Sequence, residues 1–225
     1  MSVLMTAIVV MVMHPVVQAR AQAELDTVVG KTRLPTFDDM ERLPYLQCVM
    51  SEIFRWGVAT PVGTYPSRWP RYLLAYSRPA GVPHRSIEDD EYNGWHIPKG
   101  TMVIANAWAM LRDERVYPDP DRFNPDRFLS GEGHEPQADP RGPLFGFGRR
   151  VCPGKDLAEN SLFAALALVL HAFKLTPAVG ADGCAVRVDG AFREHSIRHP
   201  EPFTCTILPR LKTSAALIRQ VMESH

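Results

Sequence analysis

One segment in the C-terminal third of the chain, PLFGFGRRVCPGKDLAE, concentrates residues that could do chemistry. Glycines ahead of its cysteine would let a flat ligand approach the backbone and would aim amide N–H groups at the sulfur. The positive end of the helix that follows favours a thiolate, and a nearby arginine could pair with a ligand carboxylate. The segment therefore predicts a protected, metal-ligated thiolate, carried by Phe145, Gly148, Arg150, Cys152 and Gly154.

Two simpler interpretations of this segment are weaker. A dinucleotide-binding fingerprint would need a glycine where Val151 stands, and it would need a strand before it. A lone cysteine in a protein core is common, because free cysteine behaves as a small apolar residue. The glycines, the arginine and the phenylalanine at fixed offsets around Cys152 favour a ligand site instead.

Helices must position this segment and also a pair of ionisable residues, Glu52 and Arg55. The run KDLAENSLFAALALVLHAF, from Lys155 to Phe173, is apolar on nearly all sides, which predicts a deeply buried helix. The run PYLQCVMSEIFRW, residues 44–56, predicts a helix with an apolar stripe. Glu52 and Arg55 lie on it one turn apart. Taken alone, that pair would be an exposed ion pair of little energetic weight.

Further helices are predicted nearer the N-terminus. The apolar run from Val3 to Met13 is shorter than the ~20 residues of a membrane span and has no basic flank, so it predicts the end of a buried helix rather than an anchor. His14-Pro15 ends that helix, because proline disfavours helical geometry in the residue before it. A second helix is predicted from Pro15 to Val29, ending at Gly30, and a short one near Asp38 to Arg42.

The rest of the chain predicts short strands and loops. Residues 57–100 indicate loop with short strands, including a hairpin that turns at Asn93-Gly94 and a strand in TMVIAN. The proline-rich run from residue 117 to residue 145 indicates an extended, meandering segment, and FTCTILPRL indicates a closing strand. The predicted fold class is mainly α with small β-sheets.

Composition excludes several function classes. Lysine plus arginine (25) equals aspartate plus glutamate (25), so the net charge gives no reason to expect nucleic acid as a partner. The four cysteines form no C-x-x-C pair, which argues against a zinc site and a disulfide scaffold and fits a reducing compartment. With 45% apolar residues in a chain of 225, a substantial core is expected.

The pattern Phe145-x-x-Gly148-x-Arg150-x-Cys152-x-Gly154 resembles the haem-binding signature of the cytochrome P-450 family. The residue sequences HPVVQARAQAELDTVVG and LPTFDDMERLPYLQCVMSEIFRW are most similar to those of fungal members. The resemblance extends over essentially the whole chain outside one segment, and it implies the C-terminal part of the cytochrome P-450 fold.

Three more motifs carry the same resemblance. EIFR resembles the family's E-x-x-R motif, and PDRF resembles its P-x-R-F element, so Glu52, Arg55 and Arg127 are implied to form a buried ionic triad. DPDRF, with Arg122, has the same form, but Arg127 better matches the spacing from the cysteine segment. VPHR resembles a family element whose histidine meets a haem propionate, which implies His84; alone, that residue would be read as an exposed histidine.

The resemblance implies a haem-thiolate monooxygenase. Cys152 would be the axial ligand of the iron of haem b, with Phe145, Gly148, Arg150, Gly154 and His84 binding the cofactor. One atom of dioxygen would enter a small organic substrate, with electrons from an NADPH-dependent reductase. A full-length parent would lie on the endoplasmic reticulum membrane through an N-terminal anchor.

Two departures from the family pattern are expected. The family's oxygen-activating acid-threonine pair falls upstream of Met1, so residues 1–13 would be the end of the central helix and no catalytic residue of that kind is expected in this chain. Residues 64–81 interrupt the family's spacing and predict an insertion, whose possible codons are compatible with a retained intron. Two alternatives therefore stay open: an inactive truncated remnant or gene-model fragment without turnover, or a module that only binds haem.

Overall fold

The computed structural model describes residues 2–60, 84–131, 133, 135–193, 197–211 and 214–223. Its α-helices are α1 (Ser2–Met13), α2 (Pro15–Val28), α3 (Pro44–Trp56), α4 (Ala107–Met110), α5 (Arg141–Phe145), α6 (Lys155–Ala172) and α7 (Ser214–Glu223). Turns of 3-10 helix occupy Phe37–Arg42, Pro125–Phe128 and Gly148–Arg150. The insertion predicted at residues 64–81 lies outside the described residues.

The strands form four small sheets. They are β1 (His84–Arg85), β2 (Asp90–Tyr92), β3 (Trp95–Ile97), β4 (Met102–Val103), β5 (Phe173–Pro177), β6 (Phe192–Arg193), β7 (His199–Pro200) and β8 (Cys205–Pro209). Each described sheet has two antiparallel strands, which pair as β1–β4, β2–β3, β5–β8 and β6–β7. The predicted class, mainly α with small β-sheets, is confirmed.

The chain turns sharply between α1 and α2. Pro15 occupies the first turn of α2, and the two helices are bent by 105° at this break. Val10 and Met11 of α1 are fully buried, which agrees with the predicted buried helix end. Within the described ranges, no single helix is long and apolar enough to cross a membrane. Helices α1 and α2 reach that length and apolar composition only when they are counted as one bent pair.

Helix α3 lies at the centre of the core and is capped by a neighbouring helix. Its proline start leaves backbone amides at Tyr45 and Leu46 without partners inside the helix. Both amides donate to the carboxylate of Glu24 on α2, at 2.8 and 2.9 Å. The cap fixes α3 against α2, and the buried face of α3 then packs against α1 and α6.

Helix α6 is buried over only part of its length. Its observed span agrees with the predicted one, but the expectation of burial throughout is wrong: Leu157 is 72% exposed, and burial begins at Leu162. Periodicity reports how apolar a helix is, not which neighbours cover it. The buried part is the part that meets the core of α1, α2 and α3, and it continues directly into β5.

The predicted hairpin is present. Asn93 and Gly94 have φ values of 50° and 78°, the left-handed pair that a tight two-residue turn requires, and Tyr92 pairs with Trp95 across it. The strand predicted in TMVIAN is limited to the two residues of β4, and the predicted closing strand is β8. The meander expected over residues 117–145 holds α5 and a 3-10 turn, neither of which was predicted.

A buried carboxylate organises the turn before α3. The Asp39 side chain is 1% exposed, and its two oxygens accept from both terminal nitrogens of Arg33 at 2.7 Å. The Thr36 amide and Arg42 also donate to it. The Arg33 guanidinium, with help from Thr36 and Arg42 and against the effect of burial, holds the pKa of this carboxyl well below its ordinary value of 3.8.

Replacing Asp39 with asparagine is expected to lower the free energy of unfolding by about 2 kcal/mol at neutral pH, because charge-assisted hydrogen bonds are lost. Since the folded pKa is depressed, the stabilisation is present above pH 3.8 and is lost as the pH falls from there towards the folded pKa. Urea unfolding at a series of pH values should therefore show the native chain and the variant converging in acid. The exposed neighbour Asp38, changed to asparagine, is the control; a difference independent of pH would contradict the assignment.

Candidate functional site

Four of the predicted cofactor-binding residues line one cavity of about 730 Å³. Phe145, Arg150 and Cys152 enter it from the cysteine segment, and His84 enters it from β1. These side chains come from parts of the sequence about 60 residues apart, so the fold brings them together. Much of the remaining lining is apolar, and it includes Val3 of α1 and Phe54 of α3.

The cysteine loop, residues 146–154, connects α5 to α6. The Cys152 amide donates to the Phe145 carbonyl at 2.8 Å, which closes the loop on itself. The Cys152 carbonyl then accepts from the Lys155 amide at 3.2 Å, where α6 begins. Cys152 is exposed, lies three residues before the first residue of α6 and lines the cavity.

The glycines of the loop have different roles. Gly148 has a φ of 59°, and a Cβ there would meet nothing within 4 Å, so both its backbone shape and the open space suit a ligand close to the chain. Gly154 has an ordinary φ of −90°, and a Cβ there would lie 3.8 Å from the Cys152 sulfur, an ordinary contact. Neither glycine is among the residues that line the cavity.

The chemistry of the lining fits haem b. The Phe145 ring packs edge-on against buried Phe54 with 5.5 Å between centroids, which gives the cavity an aromatic wall. Arg149, Arg150 and His84 supply nitrogen donors suited to carboxylates, and Cys152 supplies a sulfur for iron. In the described part of the chain no group of three His, Cys, Asp or Glu residues is placed to hold a metal ion.

A buried ionic cluster is centred on Glu52 and Arg55 of α3. Arg55 donates to both Glu52 oxygens at 2.7 and 2.8 Å, and Arg127 donates to Glu52 at 3.2 Å. Glu52 and Arg55 are fully buried and Arg127 is 3% exposed. Neighbouring Phe54 lines the cavity, so α3 contributes one side chain to the cavity wall and two to the cluster.

Backbone carbonyls balance the excess positive charge of this cluster. Arg55 donates to Leu111 O at 3.0 Å, and Arg127 donates to Pro118 O at 3.1 Å and to Asp119 O and Arg122 O at 3.2 Å. Burial lowers the pKa of the Arg127 guanidinium, while Glu52 opposes that change. The carbonyls come from the segment before the 3-10 turn at Pro125–Phe128, so the cluster fixes the path of that segment.

The structure separates the two candidate arginines of the P-x-R-F motifs. The Arg127 side chain meets Glu52, whereas Arg122 contributes its carbonyl oxygen to both Arg55 and Arg127. Tyr117 completes the cluster: its ring centroid lies 5.5 Å from the Arg55 guanidinium. Burial raises the pKa of Tyr117 to about 12, so its hydroxyl stays protonated and donates to Ala138 O at 3.0 Å.

Sequence reasoning missed two side chains of this site. Phe54 lies within the EIFR motif, and its position between Glu52 and Arg55 on one helix could have predicted that it belongs to the site. Arg141 stands in the proline-rich run ahead of the cysteine loop, where no periodicity marked it. Its guanidinium contacts Ser51 of α3 and Glu159 of α6.

The family model described as "Cytochrome P450" matches residues 1–65 and 74–187 of this chain. The chain is 40% identical over 215 residues to cytochrome P450 monooxygenase claR of Ampulloclitocybe clavipes, a match that covers 96% of this chain and 37% of that protein. It is 44% identical over 216 residues to cytochrome P450 monooxygenase claT of the same fungus, covering 95% of this chain and 40% of the relative.

A third relative comes from another fungus. Cytochrome P450 monooxygenase 176 of Postia placenta is 42% identical over 224 residues, covering 98% of this chain and 39% of that protein. The chain thus spans about two fifths of the length of the curated relatives that it matches.

Proposed function

The chain belongs to the cytochrome P450 family, and from this premise we propose that it is the haem-thiolate portion of a monooxygenase, with Cys152 as the axial ligand of haem b. It represents a partial, C-terminal section of the family fold, because the relatives extend well beyond the matched region. One observation carries the proposal: the thiol of Cys152 opens into the same cavity as Phe145, Arg150 and His84.

Each of these residues has a distinct role in the proposal. Cys152 would hold the iron through its sulfur, Phe145 would pack against the cofactor, and Arg150 and His84 would bind its carboxylates, since all four residues line the cavity. Gly148 would allow the positive φ of the loop backbone, and Gly154 is the N-cap of α6, beside the sulfur. Bound haem b supplies dioxygen activation, which a thiolate ligand promotes by donating electron density to the iron.

The cluster of Glu52, Arg55 and Arg127 is proposed to keep the cofactor wall in place. Its three side chains are buried behind Phe54, and Phe54 contacts Phe145 at the start of the cysteine loop. A rigid support of this kind matters because a ligand site works only when its own residues are held by their neighbours.

The activity of the whole protein is proposed from the family. One atom of dioxygen would enter a small organic substrate, and an NADPH-dependent reductase would supply the electrons. A full-length form would lie on the endoplasmic reticulum membrane. The acid-threonine pair that guides protons to oxygen is proposed to belong to the part of the family fold that precedes α1, the end of its central helix.

Residues 64–81 are proposed to be an insertion relative to the family. The break in the family match, between residues 65 and 74, falls inside this segment and supports the proposal. Sequencing the spliced transcripts tests a retained intron as its origin: mature messages that always include the segment would contradict that origin.

The test of the proposed function is a haem titration of the 225-residue chain followed by the carbon monoxide difference spectrum of the reduced complex. A Soret band of the thiolate-ligated type would support Cys152 as the axial ligand. No haem uptake, or a band typical of histidine or neutral thiol, would contradict it and favour an inactive remnant. A thiolate band without NADPH- and dioxygen-dependent product formation, measured with added reductase, would favour a haem-binding module.

A further inference from the structure

The cysteine loop is not anchored by buried side chains. None of residues 141–161 is buried, although the core begins immediately afterwards at Leu162. A loop without buried apolar contacts opens easily, so its position depends on hydrogen bonds and ion pairs at its two ends. One side chain, that of Arg141, connects the helices on either side of this loop.

Arg141 links the two helices that flank the loop, α5 and α6, to α3 behind them. Its Nε donates to Glu159 Oε1 on α6 at 2.9 Å, and its Nη1 donates to Ser51 Oγ on α3 at 3.0 Å. Arg141 itself begins α5, the element that leads into the loop. Its side chain is 19% exposed and that of Glu159 is 23% exposed, so both charges are largely withdrawn from water.

The partners of Arg141 are themselves fixed. Ser51 donates its hydroxyl to Gln47 O at 3.0 Å, which leaves its oxygen free to accept from Arg141. The Arg141 guanidinium also lies 5.6 Å from the Phe54 ring centroid and bonds Asp139 at 3.0 Å. One planar cation therefore ties the chain before the loop to the helix after it and to the aromatic wall of the cavity.

We propose that Arg141 is a positioning residue that fixes the cysteine loop, so that Cys152 presents its sulfur at a set distance and direction from the cavity. This inference rests on the proposed function for its link to haem, but not for its effect on the loop. Lysine cannot replace the arginine fully, because a compact ammonium lacks the planar fork that serves Glu159 and Ser51 together.

The test uses the 225-residue chain and its Arg141→Gln, Arg141→Lys and Arg193→Gln variants. Arg193 is the matched control, because it also pairs with a carboxylate, Glu201 at 2.9 Å, in a half-exposed site on strand β6, away from the cavity. The first readout is the ratio of thiolate-type to other Soret absorbance in the reduced carbon monoxide complex. The second is hydrogen exchange of the Cys152 amide without haem, which reports the bond to the Phe145 carbonyl.

Arg141→Gln is expected to lower the thiolate ratio and the protection of the Cys152 amide about tenfold, since the charge-assisted contact between the helices that flank the loop is lost. Arg141→Lys should fall between this variant and the native chain, and Arg193→Gln should match the native chain. Unchanged ratio and protection in Arg141→Gln would overturn the inference. Equal losses in Arg193→Gln would also overturn it, because they would indicate general destabilisation.

The two proposals fail in different ways. If the native chain gives no thiolate band, the proposed function is contradicted, and the exchange of the Cys152 amide alone then decides the role of Arg141. Loss of protection in Arg141→Gln but not in Arg193→Gln would still support a loop-positioning role, whereas equal protection in both variants would overturn it.

Discussion

Changing Cys152 to alanine is expected to remove the thiolate-type Soret band of the carbon monoxide complex entirely. Alanine has no ligand atom, and among the described residues that line the cavity no other side chain carries sulfur. The apolar cavity is still present in Cys152→Ala. We therefore expect this variant to take up haem more weakly and without the thiolate-type band. The measurement is the same difference spectrum at equal haem saturation.

A second cysteine provides the control for this variant. Cys184 is also free and exposed, but it is not among the residues that line the cavity. Cys184→Ala should retain the full band, which would show that the effect belongs to one sulfur and not to thiols in general. A thiolate band that survives in Cys152→Ala would contradict the ligand assignment.

Changing Glu52 to glutamine is expected to destabilise the fold by about 3–5 kcal/mol, because it leaves buried Arg55 and Arg127 without their counter-charge. This is a large part of the 5–15 kcal/mol that typically separates folded from unfolded chains. The change keeps the size of the side chain, so the loss measures charge and hydrogen bonding rather than a cavity. Urea unfolding followed by far-ultraviolet circular dichroism gives the free energy.

The matched control is an exposed carboxylate with an arginine partner. Glu201 pairs with Arg193 at 2.9 Å and its side chain is 47% exposed. Glu201→Gln should cost less than about 1 kcal/mol, as half-exposed ion pairs do. If the two variants were equally stable, the buried cluster would not support the fold in the way its geometry indicates.

The sequence allowed the main helices and the central cluster to be predicted because their signals are local or paired. Helix α2 starts with proline and is followed by glycine, and α3 starts with proline and carries an apolar stripe. Glu52 and Arg55 both lie on α3. Their meeting with Arg127 followed from a resemblance between motifs, since nothing local in the sequence links residues this far apart.

What could not be predicted depends on contacts that side-chain patterns do not record. Backbone carbonyls of Leu111, Pro118 and Asp119 complete the ionic cluster, and every residue type has such a carbonyl. Helix α5 has only five residues and follows a proline-rich run, so it presents no period. The exposure of Leu157 on α6 likewise depends on where the neighbouring helices end, which periodicity cannot report.

The contact between Glu52 and Arg127 has a consequence for chain entropy. It closes a loop of 75 residues, and the closure free energy of a long loop rises only with the logarithm of its length. Without residues 64–81 the loop would have about 57 residues, and the closure term would change by roughly 0.2 kcal/mol. The free energy of forming the ionic cluster therefore changes little when residues are gained or lost between α3 and β1. That stretch can vary in length without destabilising the support behind the cysteine loop.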